Sequence, residues 1–365
     1  MKYCCKYCNK CWNHRVEKCI FCGNPISLIK ETQYHVIGVS EIFIPSTGNE
    51  KVPYFVYLLE DKNGYKTIYK SFALYTIGDS IDLQEGETIH QEIGVVGTGL
   101  MGIQIASYFI QYQYPTIVKT RSEDSKVLTL SKIEKQISKH LTQEEVENSL
   151  KNLKITTIYE DLTHCDVVIE AASEDIAIKK EIFKKLSEVC EFHTIISTNS
   201  SSLSIDEIAK VTNRVDQCIG MHFFNPVNRM NLVEIVVGKF TSENTITTIA
   251  KLVTAIRKRP IIVKNSPGFV VNRLLLPQIN DAIHLLEEGV ALKEDIDDAM
   301  KLGLNHPMGP FELADFIGLD ICESILEVLH DGFHNPHYKP ALLLQQLVKD
   351  GKLGVKTGEG FYKYR

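Results

Sequence analysis

From residue 93 onward, short uninterrupted apolar runs alternate with longer segments whose apolar positions recur every three or four residues. The first pattern is typical of buried strands and the second of amphipathic helices. The predicted strands cover residues 93–96, 116–120, 166–172, 194–198 and 218–221, and the predicted helices between them begin at residue 100 and cover 122–150 and 179–190. Strands that alternate with helices predict an α/β fold with a doubly wound parallel sheet of the Rossmann type.

The pattern changes on both sides of this region. After residue 268 helical periodicity dominates, over residues 274–288, 293–302, 309–329 and 341–350, which predicts an all-α C-terminal domain. Before residue 88, short β-type runs at 36–43, 54–60, 66–72 and 80–83 are separated by turn clusters, which predicts a small OB-like β-barrel. The predicted domains are therefore residues 1–30, 31–88, 91–267 and 268–365, the first being a cysteine-rich ribbon.

A glycine turn joins the first strand of the α/β region to its first helix. Gly97, Gly99 and Gly102 have the spacing G-x-G-x-x-G, with Leu100 and Met101 in the first helical turn. In this context the glycines allow a tight turn, a close approach to a pyrophosphate and close helix packing. The unpaired N–H groups of the helix would then face the phosphates, so a dinucleotide site is favoured over a purely structural turn.

Six of the ten cysteines lie between Cys4 and Cys22. Two C-x-x-C pairs in so short a span are typical of a structural zinc site. Six cysteines compete for four ligand positions, and the sequence favours the pairs that are followed by Gly23 and Asn9, which tolerate the backbone of a knuckle turn. The predicted ligands are Cys5, Cys8, Cys19 and Cys22.

Charge and hydropathy exclude several classes of partner. The net charge is −6, and residues 1–90 contain ten Lys plus Arg against ten Asp plus Glu, which argues against nucleic-acid binding. No run of 18 apolar residues and no signal-peptide core occur, so no membrane partner is expected. Scattered cysteines outside the ribbon favour a cytoplasmic protein over a secreted one.

Candidate catalytic residues follow the predicted strands of the sheet. Ser201 lies in a serine run after one strand, and His222 follows the next, twelve residues before Glu234. Active sites of open α/β sheets lie beyond the carboxyl ends of the strands. A histidine that a carboxylate orients can exchange a proton near neutral pH. On position alone, a structural histidine is the alternative interpretation.

At these residues the sequence resembles the 3-hydroxyacyl-CoA dehydrogenase family in its bacterial 3-hydroxybutyryl-CoA form. The resemblance covers residues 91–365 almost end to end. Its matching segments are residues 93–106, 168–172, 198–205, 222–227, 267–275, 294–303, 306–313 and 358–362.

The resemblance implies roles for several residues. His222 matches the catalytic histidine, Glu234 its carboxylate partner, and Ser201 and Asn272 the residues that hold the substrate oxygen. The implied reaction is hydride exchange between a nicotinamide and C3 of a 3-hydroxyacyl thioester. Additional residues implied on the cofactor side are Glu174, Lys179 and Asn199; for Glu174 and Lys179 the alternatives are a helix-capping acid and an exposed lysine.

The chain departs from the family at two positions near the site. Residues Asn228–Asn231 stand where the family has Pro-Val-Met-Lys, so the sequence leaves the identity of the acyl group of the substrate open. The acidic residue that NAD enzymes of this fold place at the end of the second strand is Thr120 here, followed by Arg121. The absence of a carboxylate and the presence of a guanidinium favour NADP over NAD, with tolerance of either cofactor as the alternative.

The N-terminal residues resemble the rubredoxin-like zinc ribbon and OB-fold module found with acyl-CoA and thiolase-type enzymes. Such a module would suit an acyl-CoA or an acyl-carrier-protein thioester as substrate. Two alternatives stay open: a carrier-protein-dependent dehydrogenase and an inactive partner-binding scaffold. The broad apolar face of residues 274–286 and the family resemblance both predict a homodimer.

Overall fold

The computed structural model of the protein describes residues 2–4, 11–12, 27–29, 33–42, 54–61, 66–71, 76–82 and 92–364. The chain divides into two compact units, Met1–His90 and Gln91–Arg365. Each unit is considered separately below.

The first unit contains two antiparallel sheets in its described residues. The smaller sheet is formed by β1 (Lys2–Cys4), β2 (Cys11–Trp12) and β3 (Ser27–Ile29), with β1 in the centre. The larger has the order β6-β5-β4-β7 and consists of β4 (Gln33–Ile42), β5 (Tyr54–Asp61), β6 (Lys66–Ser71) and β7 (Ser80–Asp82). The four strands predicted in this region correspond to β4–β7, whereas a closed barrel stays a prediction. All four predicted zinc ligands, Cys5, Cys8, Cys19 and Cys22, lie outside the described residues.

The second unit is built on an eight-stranded sheet with the order β10-β9-β8-β11-β12-β13-β14-β15. Its strands are β8 (Ile93–Val96), β9 (Thr116–Lys119), β10 (Leu153–Thr156), β11 (Val167–Glu170), β12 (Ile195–Thr198), β13 (Cys218–Phe223), β14 (Leu232–Val237) and β15 (Arg259–Lys264). Neighbouring strands are parallel except β13 and β14, which are antiparallel. The direction of strand succession reverses between β8 and β11, so the crevice expected for a ligand lies there.

Helices cover both faces of this sheet, and more helices form the C-terminal region. The helices are α1 (Leu100–Gln111), α2 (Glu123–Ile137), α3 (Gln143–Leu150), α4 (Ile176–Val189), α5 (Ile205–Ala209), α6 (Glu243–Ala255), α7 (Val271–Glu287), α8 (Lys293–Leu304), α9 (Pro310–Ile317), α10 (Leu319–Phe333) and α11 (Leu342–Lys349). Every residue of β8, β11, β12 and β13 is buried, since helices shield both faces of the sheet centre. The predicted Rossmann-like α/β domain with a helical C-terminal domain is therefore confirmed.

Two predicted helices are each two helices in the structure. The predicted helix at 122–150 breaks before Thr142, whose side chain caps α3 and forms a capping box with Glu145. The predicted helix at 309–329 breaks at Gly318, where φ is 108° and no α-helix can continue. Helical periodicity continues through both breaks, which is why the apolar pattern alone did not separate the pairs.

Three strands of the large sheet were not predicted. β10 and β15 are its two edge strands, and only one residue of each is buried. Apolar and polar residues alternate in β10, and in β15 the apolar run 261–263 is short and directly follows Pro260, so neither has the long apolar run of a central strand. The third, β14, is an apolar run that only Glu234 interrupts.

Candidate active site

The glycine turn lies at the switch point between β8 and β11. Gly97 has a φ of 116°, and a Cβ atom there would lie 2.5 Å from the carbonyl oxygen of Ala171, the residue after β11. A Cβ on Gly102 would lie 2.0 Å from the carbonyl oxygen of Gly97. These two glycines therefore pack the turn against its neighbours. Gly99 differs, because no atom lies within 4 Å of its ideal Cβ position.

The first turn of α1 is open to an anion. No side chain caps the helix, no acidic residue lies in its first turn, and Leu100 is exposed while Met101 is half-buried. Unpaired N–H groups and the positive end of the helix dipole favour a phosphate here. The open space beside Gly99 fits the close approach that a dinucleotide requires.

The end of β9 carries positive charge and no carboxylate at position 120. Thr120 is only 1% exposed, and its hydroxyl has no hydrogen-bond partner in the described structure. Arg121 is exposed, whereas the Ser122 hydroxyl contacts that of Ser125 at 2.9 Å. Burial and the charge of Arg121 both lower the pKa of Lys119. Arg121 therefore offers an accessible donor at the end of β9, whereas the buried hydroxyl of Thr120 does not.

The candidate general base is held by a cross-strand pair. His222 on β13 lies directly opposite Glu234 on the antiparallel strand β14, and the imidazole Nδ1 lies 2.8 Å from the carboxylate Oε2. Glu234 is 1% exposed and His222 is 6% exposed. The imidazole also lies between two aromatic rings, with ring centroids 4.5 Å from Phe224 and 5.7 Å from Phe269. The register of the sheet thus joins two residues that are twelve positions apart.

The second carboxylate oxygen of Glu234 anchors the C-terminal helices to the site. Its Oε1 accepts hydrogen bonds from the backbone N–H groups of Val270 and Val271, at 3.1 and 3.0 Å, where α7 begins. One residue further, the Asn272 side chain donates to the backbone carbonyl of Ser201 at 3.1 Å. The start of α7 therefore binds both the dyad and the serine loop that follows β12.

Glu174 holds the serine loop from the other side. Its Oε1 accepts hydrogen bonds from the Ser200 hydroxyl at 2.6 Å and the Ser201 backbone N–H at 2.9 Å. Burial acts to raise the pKa of Glu174, but the charge of Lys179 and these hydrogen bonds outweigh burial and hold it below its usual value. The carboxylate is therefore ionised at neutral pH and fixes the position of Ser201.

Lys179 lies beneath this carboxylate and is 1% exposed. Its ammonium lies 2.9 Å from both carboxylate oxygens of Glu170 and 3.3 Å from Glu174. The alternatives of an exposed lysine and a helix-capping acid are therefore wrong, because Lys179 is buried between two carboxylates and Asp175 caps α4. Sequence reasoning missed Glu170; a glutamate that ends the buried strand 167–170 was the available signal.

Two amides connect these parts. The Asn199 side-chain oxygen accepts from the backbone N–H of Phe223 at 2.9 Å, which joins the loop after β12 to the strand of His222. Gln104, buried in α1, donates to Asn225 at 2.9 Å and accepts from the Val227 N–H at 2.7 Å. Sequence reasoning missed Gln104, although it interrupts the apolar run Ile103–Ile105–Ala106.

An uncapped helix N-terminus at the switch point and a carboxylate-oriented histidine at the same sheet edge define a nucleotide-dependent oxidoreductase of the Rossmann class. The 3-hydroxyacyl-CoA dehydrogenase NAD-binding domain matches residues 92–266, and the C-terminal domain of the same family matches residues 268–364. The chain therefore belongs to the 3-hydroxyacyl-CoA dehydrogenase family, and the predicted oxidoreductase class is confirmed.

Individual relatives agree with this assignment. The chain is 45% identical to 3-hydroxybutyryl-CoA dehydrogenase of Clostridioides difficile over 278 residues, 75% of this chain and 99% of the relative. It is 40% identical to the mitochondrial hydroxyacyl-coenzyme A dehydrogenase of Homo sapiens over 289 residues, 76% and 92% of the two chains. The crystal structure of (S)-3-hydroxybutyryl-CoA dehydrogenase from Ralstonia eutropha is 42% identical, has a TM-score of 0.73 and covers 75% of this chain and 99% of its own.

Membrane-spanning helices and clusters of metal ligands are both absent from the described residues. In the ranges that the structure covers, no helix is long and apolar enough to cross a membrane. Within the same ranges, no group of three or more His, Cys, Asp or Glu side chains is arranged to hold a metal ion.

Proposed function

We propose that the protein exchanges a hydride between a nicotinamide cofactor and C3 of a short 3-hydroxyacyl thioester, of the 3-hydroxybutyryl-CoA type. The observation that carries the proposal is the His222–Glu234 pair, 2.8 Å apart and buried, at the sheet edge that also bears the glycine turn. A bound nicotinamide would supply or accept the hydride. The names of the relatives support the short acyl-CoA substrate.

The residues of the chain divide the remaining work. Because Nδ1 of His222 faces Glu234, Nε2 is the nitrogen available to exchange the proton of the C3 hydroxyl. Glu234 orients the ring through its contact with Nδ1. Ser201 and Asn272, which are already joined through the Ser201 carbonyl, would hold the substrate oxygen while the charge on it changes.

The direct test is oxidation of reduced cofactor in the presence of acetoacetyl-CoA. We expect the wild type to turn over and a variant without the His222 imidazole to lose that turnover. A folded wild type without turnover would contradict the proposal and favour the scaffold alternative. The same assay with acetoacetyl groups on a carrier protein separates the two thioester classes. A higher kcat/KM with the carrier-bound substrate would favour the carrier-dependent alternative.

The proposal extends to NADP(H) as the preferred cofactor, with NAD(H) as the alternative. Support comes from the end of β9, where Thr120 replaces the expected carboxylate and Arg121 is exposed. A carboxylate at that position would accept bonds from a ribose hydroxyl and repel a 2′-phosphate. The guanidinium adds donors that suit a phosphate.

The N-terminal cysteines are proposed to hold one structural zinc ion. In the sequence, Cys5 and Cys8 fall between the paired strands β1 and β2, and Cys19 and Cys22 fall between β2 and β3. Cys4 and Cys11, which are left out of the ligand set, are opposite each other in the ladder of β1 and β2. Elemental analysis should find the zinc lost in a Cys5→Ser, Cys8→Ser variant and kept in a Cys4→Ser, Cys11→Ser control.

A homodimer is proposed through the C-terminal helices. Val270, Leu274 and Leu285 are 43%, 72% and 40% exposed, and their spacing places them along one side of α7. Exposed apolar side chains in a row are typical of an interface. Light scattering should give twice the chain mass for the wild type and a lower mass for Leu274→Asp, whereas a monomeric wild type would contradict the proposal.

A further inference from the structure

Residues 224–231 connect the strand of His222 to the strand of Glu234. This β13–β14 loop leaves the carboxyl end of the strand of His222 and returns to the strand of Glu234. Arg229 and Met230 are exposed at its tip, and the Asn228 side chain contacts His140 at 2.5 Å. The loop therefore presents exposed side chains at the edge of the proposed active site.

A buried lysine holds this loop from below. Lys258 is 4% exposed, and its ammonium donates to the backbone carbonyls of Val227 at 2.5 Å and Met230 at 2.8 Å. The ammonium also lies 4.0 Å from the centre of the Tyr108 ring on α1. Lys258 immediately precedes β15, and the next residue bonds the end of the loop, because the Arg259 N–H donates to the Asn231 carbonyl at 2.7 Å.

No carboxylate compensates this charge among the salt bridges of the described residues. Burial lowers the pKa of Lys258 to about 8. An ammonium without an ionic partner in a buried position is costly, and an apolar side chain of similar length would avoid that cost. Stability of the fold is therefore a poor explanation for a lysine here, whereas its two carbonyl contacts provide a specific one.

We infer that Lys258 is a positioning residue for substrate binding, because it fixes the loop of residues 224–231 in the conformation that the substrate meets. The expected change in KM rests on the proposed function, whereas the expected change in the order of the loop does not. The His222–Glu234 pair is held independently, by the sheet register and by the N–H groups of Val270 and Val271. Loss of Lys258 should therefore affect substrate affinity more than the chemical step.

Lys258→Met removes the charge and the donors but keeps the length of the side chain. Hydrogen exchange of the amides in residues 224–231 should become faster, while exchange in α7 stays unchanged. The KM for acetoacetyl-CoA should rise on the order of tenfold while kcat changes by less than about threefold, because loss of a contact that binds substrate and transition state equally raises KM and leaves kcat unchanged. Lys258→Arg keeps donors for the carbonyls and should recover most of the lost affinity.

Lys293→Met is the matched control. The Lys293 ammonium also donates to a backbone carbonyl, that of Phe361 at 2.9 Å, and lies 5.0 Å from the ring of Tyr362 in the C-terminal region. This variant should leave the KM and the exchange of residues 224–231 unchanged. If Lys258→Met does not fold, Lys258→Gln keeps one amide donor and should give an intermediate KM.

Unchanged exchange in residues 224–231 would overturn the inference, whether or not the wild type is active. Faster exchange with an unchanged KM would overturn it as well, since Lys258 would then have only a structural role. A wild type without turnover would instead contradict the proposed function, and the exchange measurement would still decide whether Lys258 holds the loop.

Discussion

The proposed proton-transfer side and the proposed cofactor side of the site are built in opposite ways. On the proton-transfer side, His222 and Glu234 are 6% and 1% exposed. The carboxylate oxygen of Glu234 that does not contact His222 accepts hydrogen bonds from two backbone N–H groups. On the cofactor side, the first turn of α1 is uncapped, Gly99 faces open space and Arg121 is exposed. On the proton-transfer side the fold itself supplies the hydrogen-bond partners, whereas on the cofactor side polar groups stay accessible to a ligand.

This contrast separates the residues proposed to perform the reaction from those proposed to select the ligand. A general base must keep one orientation, and buried hydrogen-bonded partners provide that rigidity. A ligand-binding surface must instead keep donors unsatisfied until the ligand arrives. Changes on the proton-transfer side should therefore lower the rate, and changes on the cofactor side should alter affinity and preference.

The largest effect is expected on the proton-transfer side. His222→Gln keeps a hydrogen-bonding side chain but removes the imidazole that is proposed to exchange the proton. We expect kcat to fall by about 10²–10⁴-fold, with cofactor affinity unchanged. Steady-state kinetics and cofactor titration measure the two quantities, and near-normal turnover would show that His222 is not the general base.

Two glycines on the cofactor side provide a matched pair. Gly97→Ala places a Cβ 2.5 Å from the Ala171 carbonyl oxygen at a φ of 116°, so we expect a loss of stability of about 1–3 kcal/mol as well as of cofactor affinity. Gly99→Ala meets no atom within 4 Å and should fold normally while binding the cofactor more weakly. Thermal melts with and without cofactor distinguish these outcomes; equal stabilities would contradict the crowding at Gly97.

Glu174 lies between the two sides, and its contribution to the stability of the fold should decrease in acid. Its pKa is lowered in the folded state, so its contribution to stability is fully present above its ordinary value of 4.5 and is lost as the pH falls through the lower folded value. Glu174→Gln should cost about 1–2 kcal/mol at neutral pH, because several donors of the serine loop lose an ionised acceptor whose side chain is 34% exposed and therefore partly screened by solvent. Denaturant unfolding at several pH values should show a smaller loss of stability with acid in the variant, and parallel curves would reject this role.

The smallest effect is expected at the exposed guanidinium. Arg121→Ala should lower the ratio of kcat/KM for NADP(H) to that for NAD(H) by about tenfold, since one charge-assisted contact with a phosphate is lost. Kinetics with both cofactors give the ratio directly. A wild type that prefers NAD(H), or a ratio that Arg121→Ala leaves unchanged, would argue against NADP(H) as the preferred cofactor.

Much of this organisation could be predicted from the residues alone. Uninterrupted apolar runs predicted β8, β9, β11, β12 and β13, because strands buried on both faces have no polar alternation. The glycine spacing and the segments around Ser201 and His222 pointed to the family because their chemistry restricts which residues can occupy those positions. The edge strands β10 and β15 give only a short or alternating apolar pattern, and local capping and backbone conformation decide the breaks at Thr142 and Gly318.

The sequence by itself determined the fold class, the family and the residues available for proton transfer. Only the tertiary structure decided how they meet: the register of β13 and β14 sets His222 against Glu234, and α7 brings Asn272 to Ser201. It also placed Lys179 beneath Glu174, Gln104 and Lys258 under the β13–β14 loop, and Thr120 out of solvent. The physical reason is that burial and pairing of polar groups depend on neighbours distant in the chain, which no local pattern of residues records.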